Sequence, residues 1–275
     1  MEMYMYVLFF TFGAIIGSFL NVVLYRLHTG RSLSGRSHCM SCGKELAWYE
    51  LFPVFSYLFQ RGKCRGCCAH IPPRYLVVEM LTGALFLLTW NLFQTDVVML
   101  IYYLVLLSLC VLIVVYDVRH TIIPNELTGG VGILALVFLG YEYIHTHDAF
   151  MMLTRLLAGA TAGSFFWGLW HVSKGRWVGL GDAKLALPLG IIVGIGGVFS
   201  MVVFSFWAGA LISLTLIGLE RLLKRGKVRL HFLASPLTIK SEVPFAPFLI
   251  LGFLAVQLFH ADTFDITYAL FFSYW

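Results

Sequence analysis

The stretch Gly179-Leu180-Gly181-Asp182-Ala183-Lys184 stands between two long apolar runs, in a chain whose residues are 60% hydrophobic. A charged side chain next to a membrane span is costly unless it faces water, protein or a partner, and a central Asp opposes insertion by about 2.5–3.5 kcal/mol. The two glycines allow the backbone to bend sharply and to approach another segment closely. Asp182 therefore marks a candidate functional site at the border of a membrane helix.

The same six residues also fit a simpler role, that of a loop that begins a membrane helix. Asp182 would then cap the helix N-terminus, and Lys184 would belong to the basic residues that collect on the cytoplasmic side. A second aspartate favours the catalytic interpretation, because Asp117 ends an apolar run as Asp182 begins one. Two carboxylates at matching depth can serve an aspartyl protease, one ionised to activate water and one protonated to donate to the carbonyl oxygen.

Composition indicates a polytopic helical membrane protein. Only 12% of the 275 residues are charged, whereas a soluble domain carries about 25%. The apolar runs predict an all-α fold with about eight transmembrane helices, and glycines at 194, 196 and 197 divide the longest run so that the sixth helix is short. The predicted spans cover residues 4–24, 75–93, 97–116, 127–143, 150–171, 183–195, 198–219 and 247–259.

Lysine and arginine are concentrated in segments 26–74, 174–184 and 221–240, while most other connections carry acids. The positive-inside rule makes these basic segments cytoplasmic. Asp117 and Asp182 are therefore expected at the cytoplasmic face of a bacterial inner membrane, with both chain termini outside. The lipid bilayer is the expected surrounding of the chain, and no nucleic-acid partner is predicted.

A polar insert between the first two spans carries a predicted metal site. It contains Cys39-Met40-Ser41-Cys42 and Cys64-Arg65-Gly66-Cys67, and this double Cys-x2-Cys pattern is typical of structural Zn²⁺. Disulfides are the alternative, but thiols stay reduced in the cytoplasm. Cys68 is a fifth thiol outside the spacing. The predicted zinc ligands are Cys39, Cys42, Cys64 and Cys67, and the predicted parts of the chain are a first helix (1–27), a zinc-binding insert (28–74) and a seven-helix membrane domain (75–275).

Two further features lie near the insert. Residues 48–58, between the cysteine pairs, are too aromatic for a plain loop, so they are expected either at the membrane interface or under the zinc site. Glu79 lies about one turn inside the second predicted span. It could be a helix-end charge without a role, but the cost of a carboxylate there favours a member of a polar site.

In their order and spacing, these motifs resemble the bacterial type IV prepilin peptidases, which join a leader peptidase to an N-methyltransferase. The resemblance covers nearly the whole chain. The matching pieces are residues 17–26, the four cysteines, residues 73–79, Asp117 with Ile123-Pro124, Gly179-x-Gly-Asp-x-Lys184 and residues 244–248.

The resemblance implies that Asp117 and Asp182 are the catalytic pair of a GxGD-type membrane aspartyl protease, with Gly179, Gly181 and Lys184 in the active-site loop. It also implies prepilin or pseudopilin substrates of the type IV pilus and type II secretion classes. Their leaders would be cleaved on the cytoplasmic side, and the new N-terminus would be methylated with S-adenosylmethionine.

Methylation needs a soluble cytoplasmic cofactor, and the insert is predicted on the same face as the cleavage site. We therefore expect the insert, with Asn21, Arg26 and Glu79 at the ends of the first two spans, to build the methyl-transfer site. Two other classes remain open from the residues alone. An ion- or proton-coupled transporter would place its aspartates nearer the midplane within broken helices, and a zinc-bearing scaffold would explain the cysteines but not the Gly-Asp stretch.

Overall fold

The computed structural model of the chain describes residues 2–27, 35–225 and 244–263. Regular structure within these residues is helical, which confirms the predicted all-α fold. The helices are α1 (Glu2–Arg26), α2 (Phe55–Phe59), α3 (Arg74–Phe93), α4 (Val97–His120), α5 (Asn125–Thr146), α6 (Ala149–Ser173), α7 (Leu180–Val193), α8 (Ile195–Arg225) and α9 (Ala246–Phe259), with a 3₁₀ turn at Trp48–Glu50.

Each of the eight predicted apolar segments is helical, and the described residues include six helices that are long and apolar enough to cross a membrane. The chain is therefore a multi-pass membrane protein. Helices α7 and α9 are shorter, with 14 residues each. At about 1.5 Å per residue, each is about 21 Å long, less than the ~30 Å hydrocarbon core of a bilayer.

Two helix boundaries differ from the prediction in ways that bear on the aspartates. Helix α4 continues to His120, so Asp117 lies within its last turns instead of following the helix. Helix α7 begins at Leu180, so Asp182 lies in its first turn. The predicted break after α7 is confirmed, because Gly194 ends that helix with φ +81°, a conformation that favours glycine.

The chain forms two compact units, Met1–Val115 and Tyr116–Trp275. The first contains α1, the cysteine-bearing insert, α3 and most of α4. The second contains the end of α4 with Asp117 and the helices from α5 onward. The three-part division drawn from the sequence follows the predicted roles of the segments and stays a prediction.

Glycines bring α1 and α3 together in the first unit. A Cβ atom added to Gly13 would lie 2.7 Å from Cβ of Phe86, and one added to Gly17 would lie 2.9 Å from Cα of Glu79. Neither distance is tolerable without a backbone shift. The four-residue spacing of these glycines is therefore a close helix-packing face, and it holds the carboxylate-bearing turn of α3 against α1.

Glycines play the same part between α6 and α7 in the second unit. A Cβ atom on Gly159 would lie 2.7 Å from the carbonyl oxygen of Leu187, and one on Gly190 would lie 2.9 Å from that of Ala158. Arg155 of α6 adds a polar link, since its Nη1 donates to the carbonyl oxygen of Ile192 at 2.7 Å near the end of α7. Helix α7, which carries Asp182, is thus fixed along its length by α6.

The substitution Gly159→Ala should destabilise the protein by about 1–3 kcal/mol, because the new methyl group forces α6 and α7 apart. Thermal unfolding of the full-length protein in detergent micelles measures the effect. The matched control is Gly168→Ala in the same helix, where an added Cβ meets nothing within 4 Å. It should be neutral or stabilising by up to about 1 kcal/mol, because alanine favours helix. Equal unfolding temperatures for the two variants would contradict the close packing.

Candidate active site and metal centre

Two buried carboxylates form the centre of the candidate active site. Asp117 comes from the last turns of α4 and Asp182 from the first turn of α7, and the two residues are only 4% and 6% exposed. The contact of Ile123 with Gly181 brings the segment after Asp117 onto the first turn of α7, which carries Asp182. Both aspartates are near helix ends, whereas the transporter alternative expects aspartates within broken helices near the midplane.

The glycine stretch places the Asp182 carboxylate. Gly179 is the N-cap of α7 in an extended conformation, and its backbone N–H donates to Oδ2 of Asp182 at 3.0 Å. Asp182 is the third residue of the helix and reaches back to the cap, so the alternative in which Asp182 itself caps the helix is wrong. The free amides and dipole at this helix start favour a negative charge there.

A third segment reaches the site at Asp117. The backbone N–H of Ala246, the first residue of α9, donates to Oδ2 of Asp117 at 3.2 Å. Ala246 is fully buried. The resemblance includes residues 244–248 but gave them no role, and nothing local to Asp117 in the sequence points to a donor 129 positions away.

The loop after Asp117 packs onto the start of α7. A Cβ atom on Gly181 would lie 3.1 Å from Cβ of Ile123, a tight contact that would push the Ile123 side chain away. Lys184 is exposed, and its Nζ donates to Oδ1 of Asn125 at 2.8 Å. Asn125 was not among the predicted site residues. Its place directly after Ile123-Pro124 was the signal that could have found it.

The four predicted cysteine ligands converge in the first unit. Their Sγ atoms all lie within 4.8 Å of one another, and those of Cys39 and Cys67 are 3.8 Å apart. Four sulfurs at about 2.3 Å from a tetrahedral Zn²⁺ are themselves about 3.8 Å apart. The cluster therefore fits zinc and could hold it as a structural ion.

Both cysteine pairs lie in tight turns closed by isolated β-bridges, His38 with Glu45 and Lys63 with His70. In the second turn, the backbone N–H of Gly66 donates to Sγ of Cys64 at 3.3 Å. In the first, the N–H groups of Cys42 and Ser41 lower the pKa of the Cys39 thiol to about 6. This favours the thiolate, the form that binds metal.

The adjacent cysteines of the second turn differ in their surroundings, since Cys67 belongs to the cluster and Cys68 does not. Around Cys67, the N–H of Ala69 lowers the pKa, but burial and the neighbouring cysteines outweigh it and raise the pKa to about 12. A dication among crowded sulfurs removes this conflict, because metal binding deprotonates its ligands. Cys68 has φ +59°, is exposed and does not belong to the cluster.

The three candidate residues for methyl transfer are buried and bound to backbone groups. Nδ2 of Asn21 donates to the carbonyl oxygen of Tyr75 at 3.3 Å, and Nη2 of Arg26 donates to that of Gly35 at 3.4 Å. Oε2 of Glu79 accepts the N–H of Val54 at 2.7 Å, and the Ser18 side chain also hydrogen-bonds to Glu79. The Asn21 contact joins α1 to α3, and the contacts of Arg26 and Glu79 tie the insert to these helices. Such contacts suit positioning residues better than ligand contacts.

Comparison with known proteins adds two family matches. The bacterial peptidase A24 N-terminal domain matches residues 11–93, and the type IV leader peptidase family matches residues 104–214. No solved structure matches the chain.

Individual relatives extend the similarity. The chain is 35% identical over 217 residues to a prepilin leader peptidase/N-methyltransferase of Myxococcus xanthus, covering 77% of this chain and 63% of that protein. It is 33% identical to the protein of the same name from Klebsiella pneumoniae, covering 67% of this chain and 83% of the relative. For the Bacillus subtilis protein of that name, the identity is 31% and the match covers 91% and 92% of the two chains.

We expect the purified protein to bind one Zn²⁺ per chain through four sulfurs. Metal analysis of intact protein and X-ray absorption at the zinc edge measure the stoichiometry and the ligands. Because a structural zinc site contributes folding free energy directly, a Cys39→Ser/Cys64→Ser double variant should lose the ion and open the insert to proteolysis.

The adjacent thiol supplies the control for the zinc site. Cys68→Ser changes an exposed cysteine outside the cluster, so it should keep one zinc per chain. Nitrogen ligands in the absorption spectrum, or a metal content near zero in intact protein, would contradict the four-sulfur site.

Proposed function

The chain belongs to the type IV leader peptidase family, and we propose that it cleaves prepilin-type leaders by an aspartyl mechanism with Asp117 and Asp182 as the catalytic pair. The supporting observation is the pair of buried carboxylates on α4 and α7, with the loop after α4 packed on the first turn of α7. Two close carboxylates in such surroundings cannot both ionise cheaply, so they share a proton. That is the state an aspartyl protease requires.

The helix ends suggest which aspartate takes which role. Asp182 lies in the first turn of α7 beside free amides, where the helix dipole favours negative charge. Asp117 lies near the C-terminal end of α4, where the dipole disfavours it. We assign Asp182 as the ionised base and Asp117 as the acid, although the pair titrates as a unit.

In the proposed reaction, Asp182 takes a proton from water as the water oxygen attacks the scissile carbonyl carbon. Asp117 donates its proton to the carbonyl oxygen, which gives a neutral tetrahedral adduct. The adduct collapses as its C–N bond breaks, and the leaving nitrogen takes up the proton held by Asp182. The gem-diol proton returns to Asp117 as the carboxylic acid product forms, so both aspartates regain their starting states.

The proposed substrates are prepilins or pseudopilins embedded in the bilayer. The relatives carry prepilin in their names, and a leader next to an apolar helix suits a site at the end of membrane helices. The basic segments favour the cytoplasmic face of a bacterial inner membrane for this site. Lys184 and Asn125 hold the loop after Asp117 on α7 and thereby position the pair.

We further propose that the insert methylates the amine which cleavage exposes. When bound, S-adenosylmethionine would supply the methyl group to the amine nitrogen; its sulfur would keep the electron pair of the broken C–S bond, and water would accept the proton lost by the amine. Asn21 joins α1 to α3, and Arg26 and Glu79 fix the insert on these helices through backbone contacts. The basic segments predict the insert on the cytoplasmic face, where the cofactor is soluble.

Asp117→Asn and Asp182→Asn should each lower prepilin cleavage by about 10²–10⁴-fold or more, because each removes a group that transfers a proton. The assay follows leader release from a prepilin by the purified, folded protein in lipid nanodiscs. Substantial cleavage by either variant would contradict the assignment, and ion flux without substrate would favour a transporter.

Asp148→Asn is the matched control for these substitutions. Asp148 caps α6 by accepting from the N–H groups of Phe150 and Met151. Asparagine caps helices about as well as aspartate, so this variant should cleave at the wild-type rate. A loss equal to that of the site variants would mean that the assay reports general fragility.

Glu79→Ala should yield cleaved pilin with methylation reduced about tenfold, because the buried N–H of Val54 loses its acceptor at a cost of about 1–3 kcal/mol. Glu79→Gln keeps an accepting oxygen and should retain most of the methylation. Mass spectrometry of a co-expressed prepilin reads cleavage and N-methylation together. Glu45→Ala changes an exposed carboxylate of the insert and should behave as wild type. If folded Glu79→Ala lost cleavage and methylation together, separate sites for the two reactions would be contradicted.

A further inference from the structure

The cysteine-bearing insert contains a cleft of about 450 Å³ that the proposed peptidase chemistry does not use. Its volume lies within the ~300–1,000 Å³ range of small-molecule sites. Such sites are mostly apolar and aromatic with a few placed polar groups, and this cleft adds one cation and the Ser56 hydroxyl to its rings. The aromatic and charged lining residues are Trp48, Tyr49, Phe52, Phe55, Phe59 and Arg65.

One wall of this aromatic cleft is held by the buried Glu79 carboxylate. Val54 precedes α2 with φ +63°, a strained conformation for a β-branched residue. Its N–H donates to Glu79 at 2.7 Å, which fixes the strained turn on α3. Phe52 and Phe55 flank this turn with ring centroids 5.8 Å apart. Such strain often marks functional sites, and here it presents two aromatic rings to the cleft.

The cysteine turns hold the opposite wall. Arg65 lies between Cys64 and Cys67 in the second turn, and its guanidinium carbon lies 5.2 Å from the centroid of the Tyr49 ring. In the first turn, Nζ of Lys44 donates to the buried Glu50 at 3.0 Å. Glu50 ends the 3₁₀ turn that carries two of the aromatic residues. The cleft therefore depends on the metal site as well as on Glu79.

We propose that this aromatic cleft is the binding site for S-adenosylmethionine, an inference that rests on the methyl-transfer half of the proposed function. The cofactor carries a sulfonium cation, an adenine ring and a carboxylate. Aromatic faces attract the cation and stack with the adenine, and the Arg65 guanidinium suits the carboxylate. The buried polar residues Asn21, Arg26 and Glu79 then act as positioning residues, and the exposed side chains of the cleft make the ligand contacts.

A lipid surface is the competing occupant, because Trp48 and Phe59 are each 79% exposed. Membrane-surface segments present a protruding apolar face with the basic residues around it. Here the rings line a concavity, and Arg65 lies among them over the Tyr49 ring. That arrangement complements a ligand that has apolar, cationic and anionic parts. It therefore favours S-adenosylmethionine over a lipid surface.

Equilibrium dialysis of the full-length, zinc-loaded protein in lipid nanodiscs tests the assignment with labelled S-adenosylmethionine as the probe. Trp48→Ala and Arg65→Gln should each raise Kd about tenfold. Leu58→Ala changes an exposed apolar residue of α2 outside the cleft lining and should stay within about twofold of wild type. S-adenosylhomocysteine has a neutral sulfur, so wild type should bind it several-fold more weakly than S-adenosylmethionine. Trp48→Ala should not show this difference.

Two further measurements keep the test decisive if a variant folds poorly. The zinc content of each variant is measured first, and its Kd is compared with that of wild type only if it holds one zinc per chain. Ultraviolet cross-linking of labelled cofactor to the wild-type protein should mark the peptide spanning residues 48–65.

Four results would overturn the assignment. Cross-linking elsewhere, or unchanged Kd in both cleft variants, would reject the cleft while leaving methyl transfer intact if a pre-cleaved peptide is still methylated. Absence of both binding and methylation would reject the proposed methyltransferase function itself. If Trp48→Ala weakens only the retention of anionic phospholipid, measured by native mass spectrometry, the cleft is a membrane contact and not a cofactor site.

Discussion

A carboxylate that is buried away from water needs hydrogen-bond donors. In the described structure, this requirement determines where three helices begin. Asp117, Asp182 and Glu79 are buried, and each accepts one backbone N–H, from Ala246, Gly179 and Val54 respectively. Each donor lies at the start of a helix, where the first amides have no partner within the helix. The same bonds therefore satisfy the acids and fix where α9, α7 and α2 begin.

Close helix packing in the second unit gives the aspartate pair its rigidity. Gly159 and Gly190 bring α6 and α7 to near backbone contact, and the Ile123 side chain packs on Gly181. A partly buried ion pair between Glu142 and Arg155 joins α5 to α6, while Arg155 also binds carbonyl groups near the end of α7. The short helix that carries Asp182 is therefore held at both ends, which is what proton transfer between positioned groups demands.

The insert is stabilised in a different way from the membrane helices. Its aromatic residues are largely exposed, so it lacks the buried apolar area that stabilises a small fold by itself. Four converging cysteines and the bond from Val54 to Glu79 supply the missing constraints. A segment stabilised in this way can leave its aromatic rings on the surface of a cleft, where they are free to contact a ligand.

The sequence alone determined the features that depend on composition and local pattern. Apolar runs located eight helical segments, six of which are long and apolar enough to cross a membrane in the described part of the chain. The double Cys-x2-Cys spacing identified the four cysteines that converge, and the Gly-Asp stretch singled out Asp182. The apolar pattern did not locate the helix ends, because the last turn of α4 and the first turn of α7 contain polar residues that interrupt it. Asp117 and Asp182 consequently lie inside helices instead of beside them.

Only the tertiary structure decided which groups meet the buried acids and Lys184. Ala246 is 129 positions from Asp117, Val54 is 25 from Glu79, and Asn125, which accepts from Lys184, is 59 from it. The two donors to the acids are backbone amides, which every residue except proline possesses, so no side-chain pattern could reveal them. Periodicity records which face of a helix is buried, whereas the partner of a buried polar group is set by the packing of segments distant in the chain.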